Sequence, residues 1–73
     1  MVRGRVKWFN GSKGYGFASY EDRDDIFIHY SAIDYEGYKT LSEGQLIDFE
    51  LVETTKGLQA INIKPVVEET VTN

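Results

Sequence analysis

Five short runs of alternating apolar and polar residues, separated by turn residues, dominate this sequence. Such alternation predicts β-strands, because successive side chains of a strand point to opposite faces of the sheet. The runs are rich in β-branched and aromatic residues, and no segment of useful length has the periodicity of a helix. The predicted strands cover residues 3–10, 14–20, 25–30, 45–53 and 58–64, and residues 31–33 admit one helical turn.

Five short strands in a chain of 73 residues predict a closed barrel, because closure removes the sheet edges that would otherwise pair with other chains. The predicted fold class is therefore all-β, a five-stranded antiparallel barrel of the oligonucleotide-binding type. An SH3-like barrel is the structural alternative. Residues 1–65 are expected to form one domain, and residues 66–73 a frayed acidic tail.

The composition excludes several classes of protein. The chain has no cysteine and one histidine, so it offers neither a disulfide framework nor the usual zinc-ligand clusters. No apolar run approaches the ~20 residues that a membrane helix needs, and the start of the chain does not resemble a signal peptide. We therefore expect a cytoplasmic protein without a metal or cofactor.

Charge is distributed unevenly along the chain. The net charge is -4, with 8 basic and 12 acidic residues. Residues 1–20 nevertheless contain four basic side chains and no acid, so all of the negative charge lies in residues 21–73. Such asymmetry is typical of a nucleic-acid-binding face on an acidic protein. Chance segregation in a short chain is the alternative explanation.

The third predicted strand indicates which of its faces is the core. In the stretch IFIH at 26–29, the two isoleucines share one face and the phenylalanine shares the other with the histidine. Branched aliphatic side chains fill the interior of small barrels, whereas histidine prefers access to water. We therefore expect the two rings to be exposed. The same alternation in the fourth and fifth strands assigns five residues to the core: Ile47, Phe49, Leu51, Ile61 and Ile63.

The second predicted strand contains two further aromatic residues at alternate positions. If it pairs with the third strand, Tyr15 and Phe17 join the two exposed rings, flanked by Lys7 and Lys13. The small residues at 14, 16 and 18 then face inward. A monomer rarely exposes such an aromatic surface without a use for it. The alternative is a glycine-rich hairpin whose aromatic residues belong to the core.

Four segments of the chain resemble bacterial cold-shock proteins. They are VKWFN at 6–10, KGYGF at 13–17, IFIHYSAI at 26–33, and KTL at 39–41 followed by EGQ at 43–45. The resemblance extends over about residues 2–64. It implies a barrel of the oligonucleotide-binding type that binds single-stranded RNA or DNA with low sequence selectivity. Family members act as RNA chaperones, often in the response to cold.

The resemblance also implies a set of nucleic-acid-binding residues. Those in contact would be Lys7, Trp8, Lys13, Tyr15, Phe17, Phe27, His29, Tyr30 and Tyr38, and the peripheral ones Phe9, Asp25, Lys39 and Lys56. At two positions the alternation of the strands contradicts this exposed placement. It puts Trp8 on the same inward face as Val6, and Tyr30 on the inward face with the isoleucines. The chain departs from the family at Leu58, where proline is more typical.

The expected partner is single-stranded RNA or DNA, bound by a monomer without a small-molecule substrate. Enzyme activity is not expected, because the one histidine has no nucleophile partner in the sequence pattern. The alternative function is a protein-interaction module whose aromatic surface docks a proline-rich peptide. With about four to five phosphate contacts, affinity for a single strand should fall roughly 100-fold between about 50 and 200 mM salt.

Overall fold

The computed structural model describes residues 1–34 and 40–66. It contains a 3-10 turn at Tyr30–Ala32 and five strands: β1 (Val2–Asn10), β2 (Tyr15–Tyr20), β3 (Arg23–His29), β4 (Leu46–Thr54) and β5 (Gly57–Pro65). The five predicted strands are thus confirmed, each end within two residues of its predicted position. Within the described ranges, no helix is long and apolar enough to cross a membrane.

The strands form a closed barrel in the order β1-β2-β3-β5-β4, which confirms the predicted five-stranded barrel. Four of the neighbouring pairs are antiparallel. Closure is made by a parallel pairing of β3 with β5, at Phe27 opposite Gln59. A second parallel bridge joins Ile33 to Ile63 just after the 3-10 turn. The tail predicted at residues 66–73 lies outside the described residues from position 67 onward.

The barrel interior is filled mainly by aliphatic side chains. Ile26 and Ile28 are fully buried, which confirms the predicted inward face of β3. The small residues of β2 also face inward, because Gly16 and Ala18 are both buried. The buried core as a whole comprises Val6, Ala18, Ile26, Ile28, Ile33, Leu41, Ile47, Phe49, Ala60 and Ile63. Residues on the opposite faces of β2 and β3 are therefore supported by a rigid, close-packed layer.

Two predicted core residues are placed differently. Leu51 is 37% exposed, because Phe49 is the last residue of β4 with a partner on β1, and that partner, Val2, begins the strand. Beyond Phe49, β1 no longer covers β4. Ile61 is only half-buried, because the register between β4 and β5 shifts after Asp48 and gives β5 one extra residue. Burial in β5 therefore moves to Ala60 and Ile63.

Candidate nucleic-acid interface

Strands β2 and β3 place four ring side chains side by side on the outer face of the barrel. In their pairing, Tyr15 lies opposite His29 and Phe17 lies opposite Phe27. The centroid of the Phe27 ring is 5.8 Å from that of Phe17, 6.1 Å from Tyr15 and 6.4 Å from His29. The predicted pairing of these strands is confirmed, and each ring is partly accessible to solvent.

A β-bulge in β1 adds Trp8 to the same surface. The register between β1 and β2 shifts between Val6 and Trp8, so that Trp8 pairs with Phe17. The indole is 37% exposed, and its ring centroid lies 5.5 Å from Phe17 and 5.9 Å from Tyr15. The inward orientation that alternation predicts for Trp8 is therefore wrong. A bulge inserts one residue into the strand, so the side chains that follow it point to the opposite face from the one expected.

Gly16 makes this arrangement of β1 and β2 possible. A Cβ atom at this position would overlap the backbone oxygen of Trp8 and lie 2.7 Å from the Cα of Phe9. Only glycine allows the two backbones to approach so closely. The glycine between the two aromatic residues of β2 is thus required by the bulge that exposes the indole.

Tyr30 joins the surface because β3 ends one residue earlier than predicted. It is the first residue of the 3-10 turn and is 48% exposed, with its ring centroid 4.6 Å from that of His29. Its backbone N–H donates to the carbonyl of Gly14 at 2.8 Å. The inward orientation that alternation predicts for Tyr30 is wrong for this reason. We call the surface formed by six rings the aromatic face: Trp8, Tyr15, Phe17, Phe27, His29 and Tyr30.

The lysines around the aromatic face differ in their partners. Lys7 Nζ lies 3.1 Å from Oδ2 of Asp24, so this ammonium group already has a carboxylate partner. The side chains of Lys13 and Lys56 have no hydrogen bond or ion pair within the described residues. Thr54 shapes the turn that carries Lys56, because its Oγ1 accepts from the Lys56 backbone N–H at 3.1 Å.

A groove of about 480 Å³ borders the aromatic face at the turn between β4 and β5. Phe17, Phe27 and Leu58 supply its apolar wall, and Asp25 and Lys56 supply charge at its edge. Arg23 donates two hydrogen bonds of 3.3 Å to Asp25, and these lower the pKa of that carboxyl. The groove therefore combines ring surfaces with a carboxylate and an ammonium group that has no partner in the part of the chain that the structure describes.

The remaining predicted site residues lie elsewhere. Phe9 is half-buried and packs against the core, so it is not one of the rings of the aromatic face. Tyr38 and Lys39 lie outside the described residues. Sequence reasoning did not include Leu58 and Gln59 in the predicted site, although both line the groove. The sequence feature that could have indicated Leu58 is its position directly after the turn that carries Lys56.

Comparison with protein families gives one match over most of the chain. A family model described as the 'Cold-shock' DNA-binding domain matches residues 2–66. The cold shock-like protein CspC of Bacillus cereus is 53% identical over 62 residues, which cover 85% of this chain and 95% of that protein. A cold shock-like protein of Thermotoga maritima is 52% identical over 65 residues, which cover 89% and 98% respectively.

A solved structure shares the fold at low sequence identity. The structure of drosophila Unr CSD456 superposes with a TM-score of 0.74 at 19% identity. The match covers 97% of this chain and 29% of that longer chain. It supports the barrel architecture alone.

Proposed function

Because this chain belongs to the cold-shock domain family, a family of nucleic-acid-binding domains, we propose that its aromatic face binds single-stranded RNA or DNA. The observation that carries the proposal is the aromatic face itself, six rings on one outer surface of the barrel. Every nucleobase has a π-face, so a row of exposed rings accepts successive bases by stacking with little regard to sequence.

Stacking is expected to supply most of the binding free energy. Each stacked base typically contributes ~1–3 kcal/mol by alanine substitution, and the cost of ordering a flexible strand offsets part of the total. The bases of a duplex are paired and stacked on one another, so they are not available to these rings. Binding should therefore favour single strands, and the protein would act as an RNA chaperone by holding bases that otherwise form secondary structure.

The charged groups at the edge of the aromatic face support contacts with phosphates. Lys13 and Lys56 have unpaired ammonium groups within the described residues, and Lys56 borders the groove beside Phe17 and Phe27. Tyr38 and Lys39 remain proposed binding residues on the strength of the family resemblance. We further propose that residues 1–65 form one domain that acts as a monomer in the cytoplasm. Binding by stacking would require neither a cofactor nor a catalytic group.

The first experiment is a fluorescence titration of Trp8 with a short oligo-dT. The chain has one tryptophan, and it lies on the aromatic face, so a base stacked there should quench its emission. Saturable quenching by the single strand, without quenching by a hairpin duplex, is the expected result. Absence of a change with either ligand would contradict the proposal, and binding of a proline-rich peptide instead would favour the protein-interaction alternative.

Substitution of Phe17 tests whether the rings carry the affinity. Phe17→Ala should weaken oligo-dT binding by ~1–3 kcal/mol, roughly 5- to 150-fold. Leu51→Ala is the matched control, because Leu51 is an exposed apolar side chain outside the aromatic face. Its affinity for oligo-dT should equal that of the unsubstituted protein. Equal losses in the two variants would show that the rings have no special role.

A further inference from the structure

His29 makes two contacts with Ser31, and both use the same ring nitrogen. The backbone N–H of Ser31 donates to Nδ1 at 3.2 Å, and Oγ of Ser31 lies 2.8 Å from that atom. The histidine side chain thereby caps the 3-10 turn, a role that serine, threonine, aspartate or asparagine more often fills. Within the described residues, the other ring nitrogen, Nε2, has no hydrogen-bond partner.

These contacts determine which nitrogen carries the proton of the neutral ring. A backbone N–H can only donate, so Nδ1 of His29 is the acceptor and the proton is on Nε2. The Ser31 hydroxyl then donates to Nδ1 as well. Two donors from one residue hold the ring by one edge, and the Tyr30 ring packs beside it with a centroid distance of 4.6 Å.

We propose that His29 recognises a bound base through the Nε2–H donor, and that Ser31 is the positioning residue that selects this tautomer and ring orientation. The inference rests on the proposed function, because it requires a base beside the ring. The matching group is a hydrogen-bond acceptor on the edge of the base, such as a carbonyl oxygen of thymine. One position of an otherwise unselective strand would therefore depend on an acceptor at the edge of its base.

The ligand side is tested with a thymine isostere. In an oligo-dT of about seven nucleotides, each thymine is replaced in turn by 2,4-difluorotoluene, which keeps the shape of the base but is a poor acceptor. The unsubstituted protein should lose about 3- to 10-fold in affinity at one position beyond the loss seen at the others. His29→Phe keeps a stacking ring without the donor, so it should show no such position.

The role of Ser31 is tested by a double-mutant cycle. Ser31→Ala should weaken oligo-dT binding about 2- to 5-fold and reduce the sensitivity to the isostere. Ser31→Thr keeps the hydroxyl and should restore both. In the His29→Phe background, Ser31→Ala should have no further effect, because the group it positions is absent. Losses that multiply in the double variant would overturn the positioning role.

Nitrogen NMR gives a readout that does not depend on affinity. The chain has one histidine, so both ring nitrogens are assigned directly in a labelled sample. In the neutral ring, Nδ1 should be unprotonated and Nε2 protonated. Ser31→Ala removes the hydroxyl donor but keeps the backbone N–H, so it should move both signals only part of the way toward averaged values. A protonated Nδ1 in the unsubstituted protein would overturn the inference.

The outcomes separate the inference from the proposed function. Strong binding of oligo-dT with no position sensitive to the isostere overturns the inference and leaves the proposed function intact. Failure to bind any single strand overturns both. A single sensitive position that disappears in His29→Phe supports both.

Discussion

The carboxylate of Asp24 limits how much Lys7 can contribute to the binding of a phosphate. The ammonium and carboxylate groups are 3.1 Å apart, and both side chains are largely exposed. An exposed ion pair of this kind has a small free energy, so a phosphate can displace it. A bound strand must nevertheless compete with Asp24 for Lys7, and the negative charge of Asp24 stays beside the phosphate.

Asp24→Asn should therefore raise the affinity for oligo-dT, by about 2- to 5-fold at low salt. The freed ammonium group adds up to one phosphate contact, which steepens the slope of log affinity against log salt by about 0.7. Asp22→Asn is the control, because it makes the same change in net charge but removes no partner of Lys7. Identical effects of the two substitutions on the slope would attribute the gain to net charge alone.

At the scale of whole strands, regular alternation predicted the outer faces of β2 and β3 because these strands pair without a shift over most of their length. Phe17 lies opposite Phe27 as expected, and the only irregularity in this pair follows Ala18. The positions of Trp8 and Ile61 could not be predicted, because each depends on an extra residue in one strand of a pair. Leu51 depends on where β1 begins, a fact encoded far away in the sequence.

The bulge in β1 makes Gly16 the most constrained position of β2. Gly16→Ala should cost at least about 3 kcal/mol, because the new methyl group meets backbone atoms of Trp8 and Phe9 that cannot move aside as a flexible side chain would. Chemical denaturation measures the loss of stability. The indole should also leave the aromatic face, which would appear as a shift in its emission maximum.

Gly44→Ala separates this steric effect from the conformational cost of replacing a glycine. Gly44 has a φ of 82°, but apart from its chain neighbours no atom of residues 1–34 or 40–66 would lie within 4 Å of a Cβ there. Gly44→Ala should therefore lower the free energy of unfolding by only about 1–2 kcal/mol, the cost of a left-handed backbone conformation for alanine. If both substitutions cost the same, the close approach of β1 and β2 would not be the reason for Gly16.

At the scale of the whole molecule, an ion pair joins β1 and β4, which are neighbours in the barrel but distant in the sequence. Arg3 of β1 lies opposite Asp48 of β4, with Nε donating to Oδ1 at 2.7 Å and Nη2 to Oδ2 at 3.1 Å. These hydrogen bonds lower the pKa of Asp48. A carboxyl whose pKa is lower in the folded state stabilises that state above its unfolded pKa, and this contribution disappears as the pH falls through the folded pKa.

The urea midpoint of the protein should therefore decrease as the pH falls below about 4, the unfolded pKa of an aspartate. Asp48→Asn should lower the midpoint at pH 7, and the difference from the unsubstituted protein should shrink under acidic conditions. The effect should be modest and should diminish in about 1 M salt, because the pair is exposed and screened. A difference that is constant across the pH range would assign the loss to packing rather than to charge.

The balance of charge over the molecule determines how strongly salt weakens binding. The sequence predicts about four to five phosphate contacts, but the structure pairs Arg3 with Asp48 and Lys7 with Asp24. Lys13 and Lys56 are the lysines near the aromatic face whose side chains have no partner within the described residues. The number of effective phosphate contacts is therefore expected to be closer to two or three.

With a slope of about -0.7 per contact for a single strand, affinity should fall about 7- to 20-fold between about 50 and 200 mM salt, rather than roughly 100-fold. Fluorescence titrations of Trp8 at several salt concentrations measure this slope. Replacing both Lys13 and Lys56 by methionine should lower its magnitude by about 1.4. The binding that persists at high salt should then depend on Phe17, because stacking does not release counterions. A slope that stays unchanged in the double variant would place the phosphates elsewhere on the molecule.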